Sequence, residues 1–296
     1  MSDQFKVFVS LLLSMVCWAF SFVWIKQAFA SFEPMTIVTL RLVLSSGLMY
    51  VILKLMKRLI PMQIQDLKWF VLLAFFEPFL YFIGESIGLK YVPSTMGAVI
   101  VSTIPLFAPI VDRVFFKSRL SWFNLAGITV SFLGVLLIIF EDDFSLSAPI
   151  HGILLVFLAV FAAMGYSVVL KKIPLRYNAV SIITYQNTIG IFFFMPLFIG
   201  FEWNHFIHTT ITKEAVYAII QLSTFASALA FIFFTYGMRK IGITKANVFV
   251  NMIPVFTAIF AWWILGDALT VKKIIGIVIV IGGVFISQIK RKRHEV

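Results

Sequence analysis

Residues 88–134 and 237–283 share one skeleton of proline and glycine: they read GLKYVPSTMGAVIVSTIPLFAPIVDRVFFKSRLSWFNLAGITVSFLG and GMRKIGITKANVFVNMIPVFTAIFAWWILGDALTVKKIIGIVIVIGG. The two segments align without a gap at an offset of 149 residues. The alignment superposes Pro105 on Pro254, Gly127 on Gly276, and Gly134 on Gly283. Self-similarity at a fixed offset is typical of a repeated structural unit, so we predict one unit written twice.

Composition places this unit in a membrane. Hydrophobic residues make up 61% of the 296 residues, and charged residues only 12%. A soluble domain of this length could not bury so much apolar surface, whereas a lipid bilayer accepts it. The single cysteine, Cys17, excludes an intrachain disulfide and cannot alone complete a thiolate metal site. The sequence therefore predicts an all-α membrane protein.

Ten apolar windows are long enough to cross about 30 Å of hydrocarbon at a rise of about 1.5 Å per residue. They cover residues 7–28, 35–55, 67–88, 94–116, 122–140, 150–171, 179–200, 214–236, 244–265 and 272–289. The first window extends past the usual length of a signal-peptide core and lacks a clean small-residue cleavage site. We therefore expect it to be the first of ten transmembrane helices.

The basic residues predict the orientation of these helices. With the N-terminus inside, 18 Lys and Arg residues fall in cytoplasmic segments and five in outer segments. An excess of Lys and Arg on the cytoplasmic side is the general rule for membrane proteins, so both termini are expected to be cytoplasmic. The net charge of +11 follows from this topology. No nucleic-acid partner is expected, although attraction to anionic lipid headgroups is.

The repeat and the topology together define the expected architecture. An odd number of helices in each copy inverts the second copy relative to the first. We predict ten transmembrane helices as two inverted five-helix repeats, residues 1–145 and 146–296, which together form one membrane domain. Duplicated helical units of this kind are common in secondary transporters, with the binding site at the interface between the copies.

The chain resembles the EamA-type transporters of the drug/metabolite transporter superfamily over nearly its whole length. The resemblance is carried by the two proline-bearing segments above and by CWAFSFVWIKQA at 17–28, EPMTIVTLRL at 33–42 and GDALTVKKIIGIVIVIGGVFI at 266–286. The family implies an inverted five-plus-five fold, a central cavity and alternating access. Its members move amino acids, other metabolites, nucleotide sugars or toxic compounds. Within the last motif, Asp267 is expected to cap the final helix.

The resemblance implies a secondary transporter in the bacterial cytoplasmic (inner) membrane. We expect it to export a small amino-acid-like or amphipathic metabolite, with proton coupling left open. The competing interpretation is a flippase for a lipid-linked intermediate, or an accessory membrane subunit, on the same fold. The expected partners are a small-molecule substrate and the lipid bilayer, and the expected state is a monomer or weak homodimer.

Ionisable residues inside spans are costly and indicate functional sites. Glu77 lies ten residues into its window beside Pro78, so we expect it near the midplane. Tyr81 and Glu85 follow at i+4 and i+8, on one broad helical face that should look into a cavity. We interpret Glu77 as a proton-coupling residue, with a structural hydrogen bond as the alternative. Arg41 and Glu85 are candidates for substrate binding, and a structural ion pair between them is equally consistent with the sequence.

Polar and aromatic side chains on other spans complete the predicted site. The candidates are Trp18, Tyr166, Tyr185, Gln186, Asn247 and Asn251. Asn247 and Asn251 are four residues apart and therefore share a helix face. For the amides, interhelical hydrogen bonding is the alternative function.

Pro105 and Pro254 are expected near the middle of equivalent spans, where each removes a backbone hydrogen bond. Paired breaks in two repeats suggest hinges or gates around a shared cavity, and passive kinks are the alternative. The glycines spaced seven residues apart in the last span of each copy are expected to let neighbouring backbones approach closely.

Signatures of an enzyme are weak. Residues 84–88, GESIG, match the nucleophile-elbow pattern, but that motif requires a strand, a sharp turn and a helix, and here it lies in an apolar helical window. The four histidines fall in loops or near chain ends without a full set of further ligands nearby, and no P-loop motif occurs. We therefore expect no enzymatic activity, no catalytic residue, no metal and no cofactor.

The predicted topology can be tested with fusions. A reporter fused after Asp143 should lie outside the membrane, and one fused after Val296 should lie inside, because the basic-residue asymmetry requires it. Alkaline phosphatase and fluorescent-protein reporters report the two sides. Finding both fusion points on the same side would contradict the inverted repeat.

Overall fold

A computed structural model describes residues 3–116, 121–140, 145–241, 249–287 and 289 of the chain. These residues form helices joined by short connections, and no β-strand occurs among them. One isolated antiparallel bridge joins Phe140 to Leu146. The expectation of an all-α protein is confirmed over this part of the chain.

The helices are numbered α1 to α10 in chain order. The first five are α1 (Asp3–Ala28), α2 (Pro34–Leu55), α3 (Ile64–Tyr91), α4 (Ser94–Val101 with Ile104–Phe116) and α5 (Trp122–Ile139). The other five are α6 (Ile150–Leu170), α7 (Ala179–Leu197 continuing through Phe198–Glu202 and Trp203–His208), α8 (Lys213–Gln221 continuing through Leu222–Leu229 and Ala230–Ile241), α9 (Ile253–Phe260 continuing through Ala261–Leu265) and α10 (Val271–Ser287).

Length and hydropathy show which of these helices can cross a bilayer. Among the described residues, seven are long and apolar enough: α1, α2, α3, α5, α6, α7 and α8. The apolar stretches Ser94–Phe107 of α4 and Ile253–Leu265 of α9 are shorter, and α10 has 17 residues. Because a full crossing needs about 20 residues, the shorter helices would need breaks, tilt or flanking residues to complete their spans.

A helix break occurs at equivalent positions in the two copies, inside α4 and immediately before α9. In α4 the break falls at Ser102 and Thr103, and in the second copy it falls at Asn251 and Met252. Pro105 and Pro254 are each the second residue of the helix that follows. A proline at that position has no intrahelical hydrogen bond to lose. Each proline therefore follows a break near the middle of its span, whereas we expected it to remove a hydrogen bond within a continuous helix.

The glycines of the repeat bring α5 and α10 together as antiparallel neighbours. A Cβ on Gly127 would lie 2.5 Å from the Gly283 carbonyl oxygen, and one on Gly134 would lie 2.9 Å from that of Gly276. The two contacts are equivalent in the repeat, because the 149-residue offset relates Gly127 to Gly276 and Gly134 to Gly283. Between them, the Ser131 hydroxyl donates to the Val280 carbonyl at 2.9 Å, and these two residues are themselves 149 apart. The expected close approach of backbones at these glycines is therefore present.

Two sets of polar contacts join the halves of the chain at opposite ends of the bundle. At the end where α2 finishes, Arg176 forms an ion pair with Asp66, and the Tyr177 hydroxyl donates to the same carboxylate at 2.6 Å. At the other end, the Ser31 hydroxyl lies 3.1 Å from the Thr212 hydroxyl and accepts the Thr212 backbone N–H at 2.9 Å. The offset relates residues 58–66 to 207–215 and residues 27–32 to 176–181, so equivalent loop pairs meet at the two ends.

Glu202, in the final turns of α7, fixes the start of α2. Its carboxylate accepts the backbone N–H groups of Met35 at 3.0 Å and Thr36 at 2.6 Å, and the Thr36 hydroxyl at 2.8 Å. An anionic group is favoured there because the N-terminus of a helix carries unpaired N–H groups and a partial positive charge. Residue 202 thus serves as the cap of a helix that lies far away in sequence.

The expected cap at Asp267 differs from the structure. The Thr270 hydroxyl accepts the Lys273 backbone N–H at 3.3 Å, so Thr270 caps α10. One side-chain oxygen of Asp267 is buried without a hydrogen-bond partner among the described residues. The turn at Gly266, with φ of 72°, moves Asp267 away from the first turn of the helix.

The glycine contact predicts a large difference between two adjacent substitutions. In Gly283→Ala the new Cβ would lie 2.5 Å from the Ser131 backbone nitrogen and 2.7 Å from the Gly127 oxygen. We expect this overpacking to lower the free energy of unfolding by about 1–3 kcal/mol. Gly282→Ala is the control, since its Cβ meets nothing within 4 Å. Thermal unfolding in detergent measures both, and equal stability of the two variants would contradict this packing.

Candidate functional site

The path of α3 is broken at Glu77. The backbone of Glu77 is extended, with φ −144° and ψ 117°, between the helical turns that precede and follow it. Wider π-type turns cover Phe75–Leu80 and Ile83–Ile87 on either side of Tyr81. The sequence signal for this break is Pro78, which cannot donate a backbone hydrogen bond and disfavours helical geometry at the residue before it.

Two glycines on neighbouring helices make room for the break. A Cβ on Gly165 of α6 would lie 2.3 Å from the Phe76 ring, and one on Gly190 of α7 would lie 2.3 Å from the Pro78 ring. The residues that flank Glu77 therefore occupy notches that only glycine leaves open. Both helices that provide a notch belong to the second half of the chain, so the second half positions Glu77.

Arg41 of α2 is buried, with 5% of its surface exposed. Its Nε donates to the hydroxyl of Ser227 on α8 at 2.6 Å, and the guanidinium carbon lies 4.5 Å from the centre of the Phe82 ring. Within the part of the chain that the structure describes, Arg41 has no carboxylate oxygen within 4 Å. The direct ion pair with Glu85 that the sequence allowed is therefore not formed in this conformation.

Glu85 is 4% exposed, and its hydrogen bond comes from the helix to which it belongs. The Tyr81 hydroxyl donates to Glu85 Oε1 at 3.1 Å, whereas Oε2 has no partner among the described residues. Arg41, Tyr81, Glu77 and Glu85 nevertheless interact electrostatically with one another. An unpaired carboxylate oxygen in a buried site is costly, so Glu85 has acceptor capacity that a ligand or a proton could satisfy.

Tyr166 of α6 and Gln186 of α7 extend this group of side chains from the second half of the chain. The Tyr166 hydroxyl lies near the side chain of Gln186 and interacts electrostatically with Glu77. Gln186 is 2% exposed, and its side-chain oxygen has no partner among the described residues. It is a second buried acceptor without a donor.

We call this group the polar cluster, and it comprises Arg41, Glu77, Tyr81, Glu85, Tyr166, Gln186 and Ser227. It holds two carboxyl groups and one guanidinium, so ionisation of both carboxyls leaves an excess negative charge inside the bundle. Such a charge is expensive at membrane depth unless a cation or a proton compensates it. The arrangement is therefore suited to bind a proton or a positively charged group, and to release it when the surroundings change.

Three predicted site residues lie outside the polar cluster. Trp18 donates its ring N–H to the Ala226 carbonyl at 3.1 Å and packs edge-on against Phe231. Tyr185 donates to the Ile60 carbonyl at 2.9 Å, so it faces the loop before α3 although Gln186 beside it joins the cluster. Asn251 lies in the break before α9.

Asn251 is 2% exposed, and neither side-chain atom has a hydrogen-bond partner among the described residues. Asn247, its expected neighbour on the same face, lies outside the described residues.

Gly84 shares a turn with Glu85, but a Cβ on it would lie 2.4 Å from the Leu155 carbonyl oxygen of α6. That side of α3 is therefore a packing surface.

Ser227 and Phe82 belong to the site but were not predicted. Neither is ionisable, and nothing in the sequence pairs Ser227 with Arg41, because the two are 186 residues apart. A buried arginine requires a partner, so the presence of some acceptor was predictable from Arg41 alone. No group of three or more potential metal ligands occurs in the described parts of the chain.

Comparison with known proteins defines the class of this molecule. A solved structure superposes with a TM-score of 0.70 at 14% identity, covering 95% of this chain and 97% of the other, which shows a shared fold. An uncharacterized transporter of Archaeoglobus fulgidus is 28% identical over 97% of this chain and 98% of its own length. The uncharacterized transporter YdfC of Bacillus subtilis is 26% identical over 96% and 92%.

The protein is therefore a multi-pass membrane transporter, because it has several helices that can span a membrane and its relatives are transporters. The family model of the EamA-like transporter family matches residues 6–140 and 150–288. The chain therefore belongs to the EamA-like transporter family. The resemblance seen in the sequence is confirmed.

The hydrogen bond between Arg41 and Ser227 can be tested with a matched pair of serines on α8. Ser227→Ala leaves a buried guanidinium N–H without its acceptor, and we expect a loss of about 1–3 kcal/mol in the free energy of unfolding. Ser223→Ala is the control, because Ser223 is equally buried but only donates to Ile219 in its own helix at 2.7 Å. Thermal unfolding of purified protein measures both. Equal effects would show that Arg41 does not depend on Ser227.

Proposed function

We propose that the protein is a secondary transporter that exports a small amino-acid-like or amphipathic metabolite by alternating access. The observation that carries this proposal is the polar cluster. It draws Arg41 and the two carboxyl groups from the first half of the chain, and Tyr166, Gln186 and Ser227 from the second half. A site between two halves of a membrane bundle can be exposed to either side when the halves move relative to one another.

Two observations support an inverted repeat of five helices in each half, with repeats at 1–145 and 146–296. The equivalent helices α5 and α10 pack antiparallel, with glycine contacts that the 149-residue offset exchanges. The family model also matches two separate segments, 6–140 and 150–288, one in each proposed repeat. A two-fold relation in the membrane plane would produce both features.

The contacts at the two ends of the bundle support alternating access. Each end is joined by one pair of loops, and the two pairs are equivalent under the same offset. Opening the end at Arg176 and Asp66 while keeping the end at Ser31 and Thr212 closed, and then the reverse, would expose the polar cluster to each side in turn. In this conformation both sets of contacts are made. Pro105 and Pro254, beside paired helix breaks, are the proposed hinges.

We propose that Glu77 couples transport to proton movement. It lies in the break of α3, in electrostatic contact with Glu85, Arg41 and Tyr166, and it is only half-buried. A carboxyl there can hold a proton in one conformation and release it in another. The substrate then binds beside Arg41.

The proposed location is the bacterial cytoplasmic (inner) membrane with both termini in the cytoplasm, and the proposed state is a monomer or weak homodimer. Transport of water-soluble amino acids by purified protein in liposomes would support this function. Scrambling of lipid-linked probes across the same liposomes, without solute transport, would instead identify the flippase that the fold also permits.

Glu77→Gln tests the coupling. It keeps the shape of the side chain and removes its titration, so substrate binding should persist while accumulation driven by a pH gradient is lost. Counterflow and gradient-driven uptake in liposomes separate the two activities. Glu214→Gln, at an exposed carboxyl near the start of α8, is the control and should behave as the parent protein. If Glu77→Gln retains accumulation with the parent's dependence on the pH gradient, Glu77 is not the coupling residue.

A further inference from the structure

A cavity lies at the end of α2, away from the polar cluster. Its volume is about 460 Å³, and it is lined by Tyr50, Val51, Leu53, Lys54, Lys57 and Leu59. Its walls are mainly apolar, and two ammonium groups are the charged elements of the lining. A pocket of this size is large enough for part of a small molecule or a lipid.

Lys57 lines this cavity and has a backbone conformation that favours glycine. Its φ is 51°, in the left-handed region. The Lys57 N–H donates to the Lys54 carbonyl at 3.1 Å, and the Arg58 N–H donates to the Leu53 carbonyl at 3.0 Å, which together form a Schellman motif at the end of α2. Glycine is the usual residue at this position, and a side chain costs free energy there. A lysine at this position therefore costs more conformational free energy than a glycine would.

The charges of Lys54 and Lys57 are not compensated by neighbouring acids. Neither lysine has an ion pair within the described ranges of the chain. Asp66, an acid at this end of the bundle, is engaged by Arg176 and Tyr177. Two free ammonium groups beside an apolar pocket are complementary to an anionic group that carries an apolar body.

The surroundings favour a lipid as the source of that anion. Val51 and Leu55 on the last turns of α2 are 57% and 79% exposed, which suits contact with acyl chains. The end of a membrane-spanning helix lies at the level of the lipid headgroups, where lysines interact with anionic phospholipids. A soluble phosphate would gain nothing from Val51, Leu53 and Leu59.

We propose that this cavity is a binding site for an anionic phospholipid. The phosphate lies between the ammonium groups of Lys54 and Lys57, and the Tyr50 hydroxyl is available to the headgroup. The first part of an acyl chain lies along Val51 and Leu59. This site is independent of the proposed transport site, and it fixes the end of the helix that carries Arg41.

The test uses the purified full chain in a neutral detergent, with thermal stability followed as lipid is added, because a ligand of the folded state raises apparent stability. Phosphatidylglycerol should raise the melting temperature saturably, and phosphatidylcholine should not. The variant pair is Lys54→Gln and Lys57→Gly, separately and together. Lys57→Gly removes the charge while keeping a residue suited to positive φ, so the fold is preserved.

Each lysine should contribute about a five-fold effect on phosphatidylglycerol affinity, and the double variant about 25-fold. Lys172→Gln is the control, since Lys172 is an exposed lysine at the same end that does not line the cavity. Unchanged affinity in the double variant, or an equal loss in Lys172→Gln, would overturn the site. An equal stabilisation by inorganic phosphate at the same concentration would overturn the lipid as its ligand.

Discussion

The break of α3 at Glu77 is the feature on which the candidate site depends. In lipid, an interrupted helix is tolerated only where neighbouring protein surrounds the irregular backbone. Here Gly165 and Gly190 supply that protection, because their missing side chains accept Phe76 and Pro78. The break turns Glu77 toward Arg41 and Tyr166.

Much of the architecture follows from hydrophobic windows and from the repeated glycines, since both report on lengths and close contacts that a bilayer enforces. The windows predicted an all-helical chain, and the glycines correctly indicated a close approach of helix backbones, which in the structure joins α5 to α10. The boundaries of the helices and the breaks within them were harder to predict from the sequence. The sequence placed Pro105 and Pro254 mid-helix, whereas each begins a helix, because the break two residues earlier depends on tertiary packing.

The site was predicted in part for a related reason. The ionisable residues Arg41, Glu77 and Glu85 were visible because charges are rare in apolar windows. Their partners were not, since Ser227 resembles any helical serine until the fold brings it to Arg41. Tyr185 and Gln186 illustrate how adjacent residues face different neighbours. The pairing of distant side chains is information that a single sequence does not hold.

The cap that Glu202 forms on α2 couples two helices that occupy equivalent places in the repeat, α2 and α7. Three hydrogen bonds to one carboxylate hold the beginning of α2 against the end of α7. Any motion that pulled these helices apart at this point would break these three hydrogen bonds and leave the first N–H groups of α2 without their acceptor. The cap therefore opposes separation of α2 from α7 at the beginning of α2, and it places no such constraint on the end of α2 that lies beyond Arg41.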